Sequence, residues 1–227
     1  MLSKLEVDRC IHLPSQWHPR AVVAGQFLTD PPKALTIKQS KSVNVAPDKT
    51  VPKIAVKAST IVEGANAKRG KEHRNFHWLG YWGGAISQIV RHGNIDVLTG
   101  PMSGCWVVVH RWHNIEHVAH IGKDKMDQAK TNAVIAGWNG HAQAHPDDVI
   151  AGFNPFRHWV DRMPERKPGD KDIGGTGYQC FALVTGDPAP RLFSILTYRQ
   201  KIDTNLLRIA GIEEVESEGR ETLLHTD

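Results

Sequence analysis

Cysteine is scarce in this chain: its 227 residues hold three, Cys10, Cys105 and Cys180. So odd and sparse a set, with no Cys-x-x-Cys pair, is not a disulfide framework. It points instead to a reducing environment or to functional thiols. Long hydrophobic runs are missing as well. Around the central cysteine the longest extends only from Cys105 to Val109, far below the roughly 18 residues a membrane-spanning helix needs. No membrane association is expected. Met1 to Trp17 lacks the basic-then-apolar order of a Sec signal, so export is expected to use another route. No internal repeat is present, and no compact basic run marks a nucleic-acid partner.

What is present is ordinary globular material, 40% hydrophobic and 23% charged. The length suits a single domain over 1–227. Seven tryptophans predict a core or groove built on large rings. The net charge of +4 is spread unevenly. Pro31 to Asn75 carries ten Lys and Arg against three acids, whereas Asp203 to Asp227 carries seven acids against two Arg. The first stretch reads as a solvated lysine face. The second reads as an acidic tail from about residue 213.

Strand signals dominate. Ala21–Leu28, Ala34–Val45 and Ile54–Val62 are rich in β-branched or alternating residues, with breaks at Pro31–Pro32 and Pro47–Asp48 and a polar loop at Ala65–Lys71. Ala85–His92 predicts a short helix with Ile86, Ile89 and Val90 on one face. Ile95–Leu98 predicts a short strand, Cys105–Trp112 a strong one, and Glu116–Gly122 its return after a His113–Asn114 turn. Asp124 is the expected N-cap of a helix ending at Gly137. Tyr178–Thr185 and Leu192–Tyr198 predict a second pair, and Leu206–Ile212 a last strand or turn. Together these predict an α+β domain, with a central β-sandwich or mixed β-sheet flanked by helices.

One constellation carries chemistry. Met102-Ser103-Gly104-Cys105 places a thiol directly after a glycine turn, at the mouth of a strand. A glycine there lets the backbone approach a ligand closely, and the N–H groups of such a turn can face a developing oxyanion. His120 follows on the returning strand, in Val118-Ala119-His120-Ile121-Gly122. The hairpin is expected to bring Cys105 and His120 side by side on one face, about 5 Å apart, as a thiolate–imidazolium pair requires. Asp96 and Asn114 are the nearest candidates for a third member.

These residues resemble the catalytic site of the cytotoxic necrotizing factor and Burkholderia lethal factor 1-like glutamine deamidases. The likeness runs from Ile95 to Lys123 and includes Thr99, six residues before the cysteine. Met102 stands where the necrotizing factors have leucine, and Ile121-Gly122-Lys123 departs from their His-Thr-Gly-Thr. The resemblance implies a bacterial toxin or effector that converts glutamine to glutamate in a target protein. Cys105 is then the nucleophile and His120 the proton carrier, Ser103 and Gly104 form the oxyanion turn, and Thr99 orients the histidine or lines the oxyanion pocket. No cofactor or metal is implied. The partner is a protein bearing the glutamine, and an immunity or chaperone partner is left open. The protein would be made in a bacterial cytoplasm and secreted or injected into the target cell's cytosol.

Other readings remain. The same dyad serves a cysteine protease or a transglutaminase, because the acyl-enzyme step is shared. His110, His113, His117 and His120 are dense enough for a non-enzymatic, zinc-binding module, but odd spacing along pleated strands turns neighbours to opposite faces. Trp106 and Trp112 read as core. Trp78 and Trp82 are weak candidates for a substrate groove. Cys180 reads as a buried structural thiol, and Cys10 as inert or exposed.

Overall fold

The alternation of apolar side chains that predicts strands continues through most of the computed structural model, which describes residues 5–12, 23–30, 34–45, 54–63, 75–102, 104–171, 178–201 and 206–226. In chain order the strands begin with β1 (Cys10–His12), β2 (Phe27–Thr29), β3 (Ala34–Val45), β4 (Ile54–Glu63), β5 (Asn75–Leu79), β6 (Ile86–Val90) and β7 (Asp96–Thr99). They continue with β8 (Trp106–Trp112), β9 (Ile115–Ile121), β10 (Val149–Phe153), β11 (Tyr178–Val184), β12 (Leu192–Arg199) and β13 (Leu206–Val215). Helix α1 spans Gln128–Ala144 and α2 spans Arg220–Leu224.

Among the described residues, eight strands close a barrel in the order β1-β13-β12-β11-β7-β5-β3-β4, and five form a second sheet, β10-β8-β9-β6-β2. The barrel closes through a parallel β1–β4 pairing, Cys10 opposite Ala58. Strands β5 and β7 also run parallel, with Leu79 opposite Thr99, so both leave the barrel at the same edge.

Strand period two sorts the core into layers. On β11, Phe181 and Leu183 point into the barrel with Phe76, Trp78, Leu98 and Phe193. The alternate residues Cys180, Ala182 and Val184 point out, against Val107, Val109 and Val118 of the second sheet. That sheet's other face, with Trp106, Val108 and Ala119, packs on Val134, Trp138 and Ala142 of α1. A tryptophan hydrogen bond adds the C-terminal segment, as Trp138 Nε1 donates to the Leu223 carbonyl at 2.8 Å.

The fold is therefore mostly β, and the expected α+β architecture with flanking helices is corrected. The single long helix among the described residues covers one face of one sheet; the opposite face is covered by the barrel. Part of the error lies in Ala85–His92, which holds strand β6 rather than a helix. Ile86, Ser87, Gln88 and Ile89 are all buried, because β6 lies between β9 and β2 with both faces covered. The alternation is hidden by polar side chains that bond inside the sheet: Ser87 donates to the Gly80 carbonyl at 2.7 Å and Gln88 to Thr29 at 2.9 Å.

Helix α1 starts later and runs further than expected. Its N-cap is Asp127, whose carboxylate accepts from the Lys130 N–H at 3.0 Å. Gly137 does not end it. A Cβ there would lie 2.6 Å from the Gly25 carbonyl oxygen, so the glycine admits a passing backbone. The acidic segment from 213 is folded in: Glu213 bonds His158 at 2.6 Å and Glu214 pairs with Arg191. The breaks expected at Pro31–Pro32, Pro47–Asp48 and Ala65–Lys71 lie outside the described residues, as do most of the basic residues between Pro31 and Asn75. No helix among the described residues is long and apolar enough to cross a membrane.

Candidate active site

The chain passes from barrel to second sheet between Thr99 and Cys105. Gly100 donates to the Leu79 carbonyl at 3.0 Å, and Met102 exchanges two backbone hydrogen bonds with Cys180, of 2.8 and 2.9 Å. Ser103 lies outside the described residues. Gly104 has φ +140° with nothing within 4 Å of an added Cβ, so conformation rather than space calls for glycine. Cys105 follows immediately, where the chain enters β8. Its position between two sheets, rather than inside a ladder, sets it at the wall of a cavity of about 430 Å³ lined also by Tyr81, Met102, Gly104, Lys123 and Met126.

The β8–β9 register follows from its turn. His113 and Asn114 both have positive φ, +50° and +62°, as a two-residue hairpin turn of matching twist needs. Trp112 then faces Ile115, and counting back places Val107 opposite His120. Cys105 consequently stands diagonal to His120, not beside it as expected. Both point to the barrel side, and diagonal neighbours lie about 7–8 Å apart along the backbone. Gly122 faces the cysteine's end of the hairpin. A Cβ on it would meet the Trp82 carbonyl oxygen at 2.3 Å.

His120 is fully buried. Ser87 of β6 pairs with it from the other side, and the Tyr81 ring lies over it at 5.4 Å between centroids. Neither ring nitrogen has a hydrogen-bond partner among the described residues. Burial pushes the imidazole down to about 3. Burial likewise pushes the Cys105 thiol up to about 11, opposed by a hydrogen bond from the Lys123 main-chain N–H and by the Lys123 and Lys125 charges. Thiol and imidazole are both neutral at pH 7 in this arrangement. That is the reactant form of a pair in which the histidine acts as general base, and such pairs commonly tighten only around substrate. The Lys123 N–H, next to the sulfur, is a donor suited to a developing oxyanion.

Other expected site residues divide between inside and outside this cluster. Thr99 is buried at the barrel edge; its hydroxyl donates to the Gly100 carbonyl at 3.4 Å and accepts from the Ala182 N–H at 3.2 Å. It fastens β7 to β11 and makes no bond to His120. Trp78 fills the barrel, 6.4 Å from the Phe181 ring. Trp82 turns its Nε1 to Asp30 at 3.1 Å. Neither lines the cavity. The aromatic that does is Tyr81 between them. Asp96 accepts from the Gly186 N–H at 3.0 Å, and Asn114 sits at the far end of the hairpin.

His110 and His117 pair across the hairpin on the face opposite His120. Among the described residues, no group of three or more His, Cys, Asp or Glu is placed to hold a metal. Cys180 and Cys10 are both fully buried, and burial raises their thiols to about 12 and about 11.

The signal for Tyr81 and Lys123 was weak in sequence. Tyr81 is one of three aromatics in a glycine-flanked stretch, and Lys123 acts through its backbone.

No protein-family model and no curated protein matches the chain. Among solved structures it is similar to the C-terminal domain of CNFy from Yersinia pseudotuberculosis, with TM-score 0.27 and 9% identity over 80% of this chain and 72% of that one. A TM-score that low does not establish a common fold.

Proposed function

We propose that the chain is a cysteine-dependent protein glutamine deamidase, with Cys105 as nucleophile and His120 as proton carrier. The observation that carries this reading is the cavity wall. Cys105 lines an open cavity, and a histidine whose two ring nitrogens have no hydrogen-bond partner among the described residues faces the same side of the adjoining strand. The Ser-Gly-Cys and histidine pattern, which resembles the necrotizing-factor deamidases, supports the choice of a carboxamide as substrate.

In the reaction His120 takes the thiol proton and the sulfur attacks the carboxamide carbon. The carbonyl electron pair moves to oxygen, where the Lys123 N–H stabilises it. Collapse breaks the carbon–nitrogen bond, and the nitrogen leaves as ammonia with the proton held by His120. Water, deprotonated by His120, then attacks the thioester carbon. The carbon–sulfur bond breaks, the thiol is restored, and glutamate remains. Gly104 holds the turn, and Thr99 fixes its base on the barrel. The target is a protein side chain in another cell's cytosol, reached by a bacterial toxin or effector.

The test is incubation of the full chain with cell lysates, with Cys105→Ala as control, followed by peptide mass spectrometry. Site-specific glutamine-to-glutamate conversion that requires Cys105 is expected. Cys105-dependent chain cleavage or amine adducts would replace the deamidase reading with protease or transglutaminase. No Cys105-dependent change would remove it.

A further inference from the structure

We propose that Tyr81 is a positioning residue that gates the site, its ring keeping Cys105 and His120 apart until it turns outward. The inference rests on the Cys105–His120 reading above. Strands β5 and β7 are parallel neighbours, so the two loops that follow them leave the barrel side by side. One carries Cys105 and the other carries Tyr81. They touch at Gly100, where an added Cβ would lie 3.6 Å from the Tyr81 nitrogen.

Three contacts define what Tyr81 does there. Its ring lies over His120 at 5.4 Å and a 40° tilt. Its hydroxyl donates to the Lys123 carbonyl, while the N–H of the same residue bonds the Cys105 sulfur. And its side chain lines the cavity with the cysteine. One side chain thus contacts the histidine, the Lys123 residue whose N–H meets the sulfur, and the nucleophile's cavity. His120 meanwhile has no partner for either nitrogen among the described residues. A buried imidazole left so is unusual, since buried polar groups nearly always find a bond. The thiol of Cys105 stands diagonal to it on the same face of the hairpin.

The loop is built to let Tyr81 move while its neighbours hold. Trp82 is fastened to Asp30 at 3.1 Å. Gly84, at φ +84°, donates to the Gly122 carbonyl at 2.6 Å. Glycines at 80, 83 and 84 flank the segment. Tyr81 itself is already 40% exposed, so an outward turn of its ring is into solvent. Its departure opens the diagonal from His120 to Cys105 and frees the Lys123 carbonyl for an incoming carboxamide N–H. Burial raises the phenol, with Cys105 and Asp124 adding to the effect, so the hydroxyl keeps the proton it donates to the Lys123 carbonyl.

The experiment follows iodoacetamide alkylation of Cys105 against pH by peptide mass spectrometry. The full chain is compared with Tyr81→Phe, Tyr81→Ala, and each of these combined with His120→Ala. Tyr81→Ala is expected to raise alkylation at pH 6 by about tenfold or more, which corresponds to a thiol lowered by about one pKa unit. The gain should disappear in the double variant. Tyr81→Phe keeps the ring and loses the tether, so a smaller, His120-dependent rise is expected; it also serves if Tyr81→Ala fails to fold. A rise equal at all pH values and unchanged by His120→Ala would show the ring to be only a cover and would overturn the gate, as would no rise. Failure of the gate with wild-type glutamine conversion intact leaves the deamidase reading standing. A His120-dependent rise without any conversion keeps the gate and removes that reading.

Discussion

The two faces of the β8–β9 hairpin carry the same chemistry in alternate positions and come to opposite ends. Facing helix α1, His110 sits 5.3 Å from the rings of both Trp138 and His141, and 6.1 Å from His117. Its Nε2 meets Gln88 Oε1 at 3.0 Å, and His117 Nδ1 meets the Ile115 carbonyl at 2.8 Å. Facing the barrel, His120 has among the described residues one aromatic neighbour, Tyr81, and no hydrogen bond, and Tyr81 lines a cavity together with Cys105. Burial lowers His110 and His120 alike to about 3. A perturbed imidazole is therefore no guide by itself to a functional site. Unmade bonds occur on both faces, since His110 Nδ1 also lacks a partner among the described residues; what sets His120 apart is that both of its ring nitrogens do, on the side of the sheet where Cys105 lines a cavity.

The sharpest way to break this contrast is to disable one face at a time. Cys105→Ala is expected to cut glutamine conversion by about 10³-fold or more, the scale on which removal of a nucleophile acts. His110→Gln keeps a partner for Gln88 and should leave conversion within a few-fold of wild type. Conversion rates of both variants, with circular dichroism to verify folding, decide the matter. Equal losses would mean that the two histidine environments are functionally one.

Acid should affect both faces alike. Each histidine has a folded pKa below its unfolded value of about 6.5, so the unfolded chain binds more protons between the two values. Stability is then full above about pH 6.5 and is lost as pH falls toward about 3, by on the order of a few kcal/mol per histidine. His141 and His117 are shifted the same way by burial, with His145 and His113 adding positive neighbours and Asp148 opposing at His141. Urea midpoints measured from pH 7 to pH 4 should fall steeply for wild type. The slope should flatten in His110→Gln and again in His120→Asn. Flattening in only one variant would break the symmetry of burial across the sheet.

Much of this was legible in residues whose partners are close in sequence. The β8–β9 and β11–β12 hairpins were, because short turns fix them. So was the cysteine at a strand mouth, because Gly104 precedes it. The register was misjudged, since Cys105 was expected beside His120: the turn at His113–Asn114 pairs Trp112 with Ile115, and counting back places Val107 opposite His120 and Cys105 on the diagonal. What the sequence hid is non-local. The parallel pairings β1–β4 and β5–β7 join segments far apart in the chain, and only the second brings Tyr81 to the thiol. Strand β6 was hidden because burial on both faces erases alternation. Gly137 misled as a helix stop because its reason is the Gly25 backbone pressed against it.

Two glycines sharpen the view of how the site is held. Gly122→Ala forces a Cβ to within 2.3 Å of the Trp82 carbonyl oxygen, a backbone atom that cannot step aside. A loss of about 3 kcal/mol is expected, with Tyr81 displaced along with its loop. Gly104→Ala meets no atom within 4 Å but must hold φ near +140°, at about 1–3 kcal/mol. Thermal unfolding gives both losses, and alkylation of Cys105 tells them apart: Gly104→Ala moves the cysteine itself, whereas Gly122→Ala moves what covers it.

The smallest effect belongs to Thr99, and it separates scaffold from chemistry. Its hydroxyl bonds only the backbone of Gly100 and Ala182 among the described residues. Thr99→Val keeps the shape and removes the acceptor for the Ala182 N–H, at about 1 kcal/mol; Thr99→Ser keeps the acceptor and should restore it. If Thr99 acts only by fastening β7 to β11, the pH profile of Cys105 alkylation stays where it is in both variants while the unfolding midpoint moves in one. A shifted profile in Thr99→Val, recovered in Thr99→Ser, would instead put the hydroxyl in contact with His120 during turnover and extend the chemically active face of the hairpin into the barrel wall.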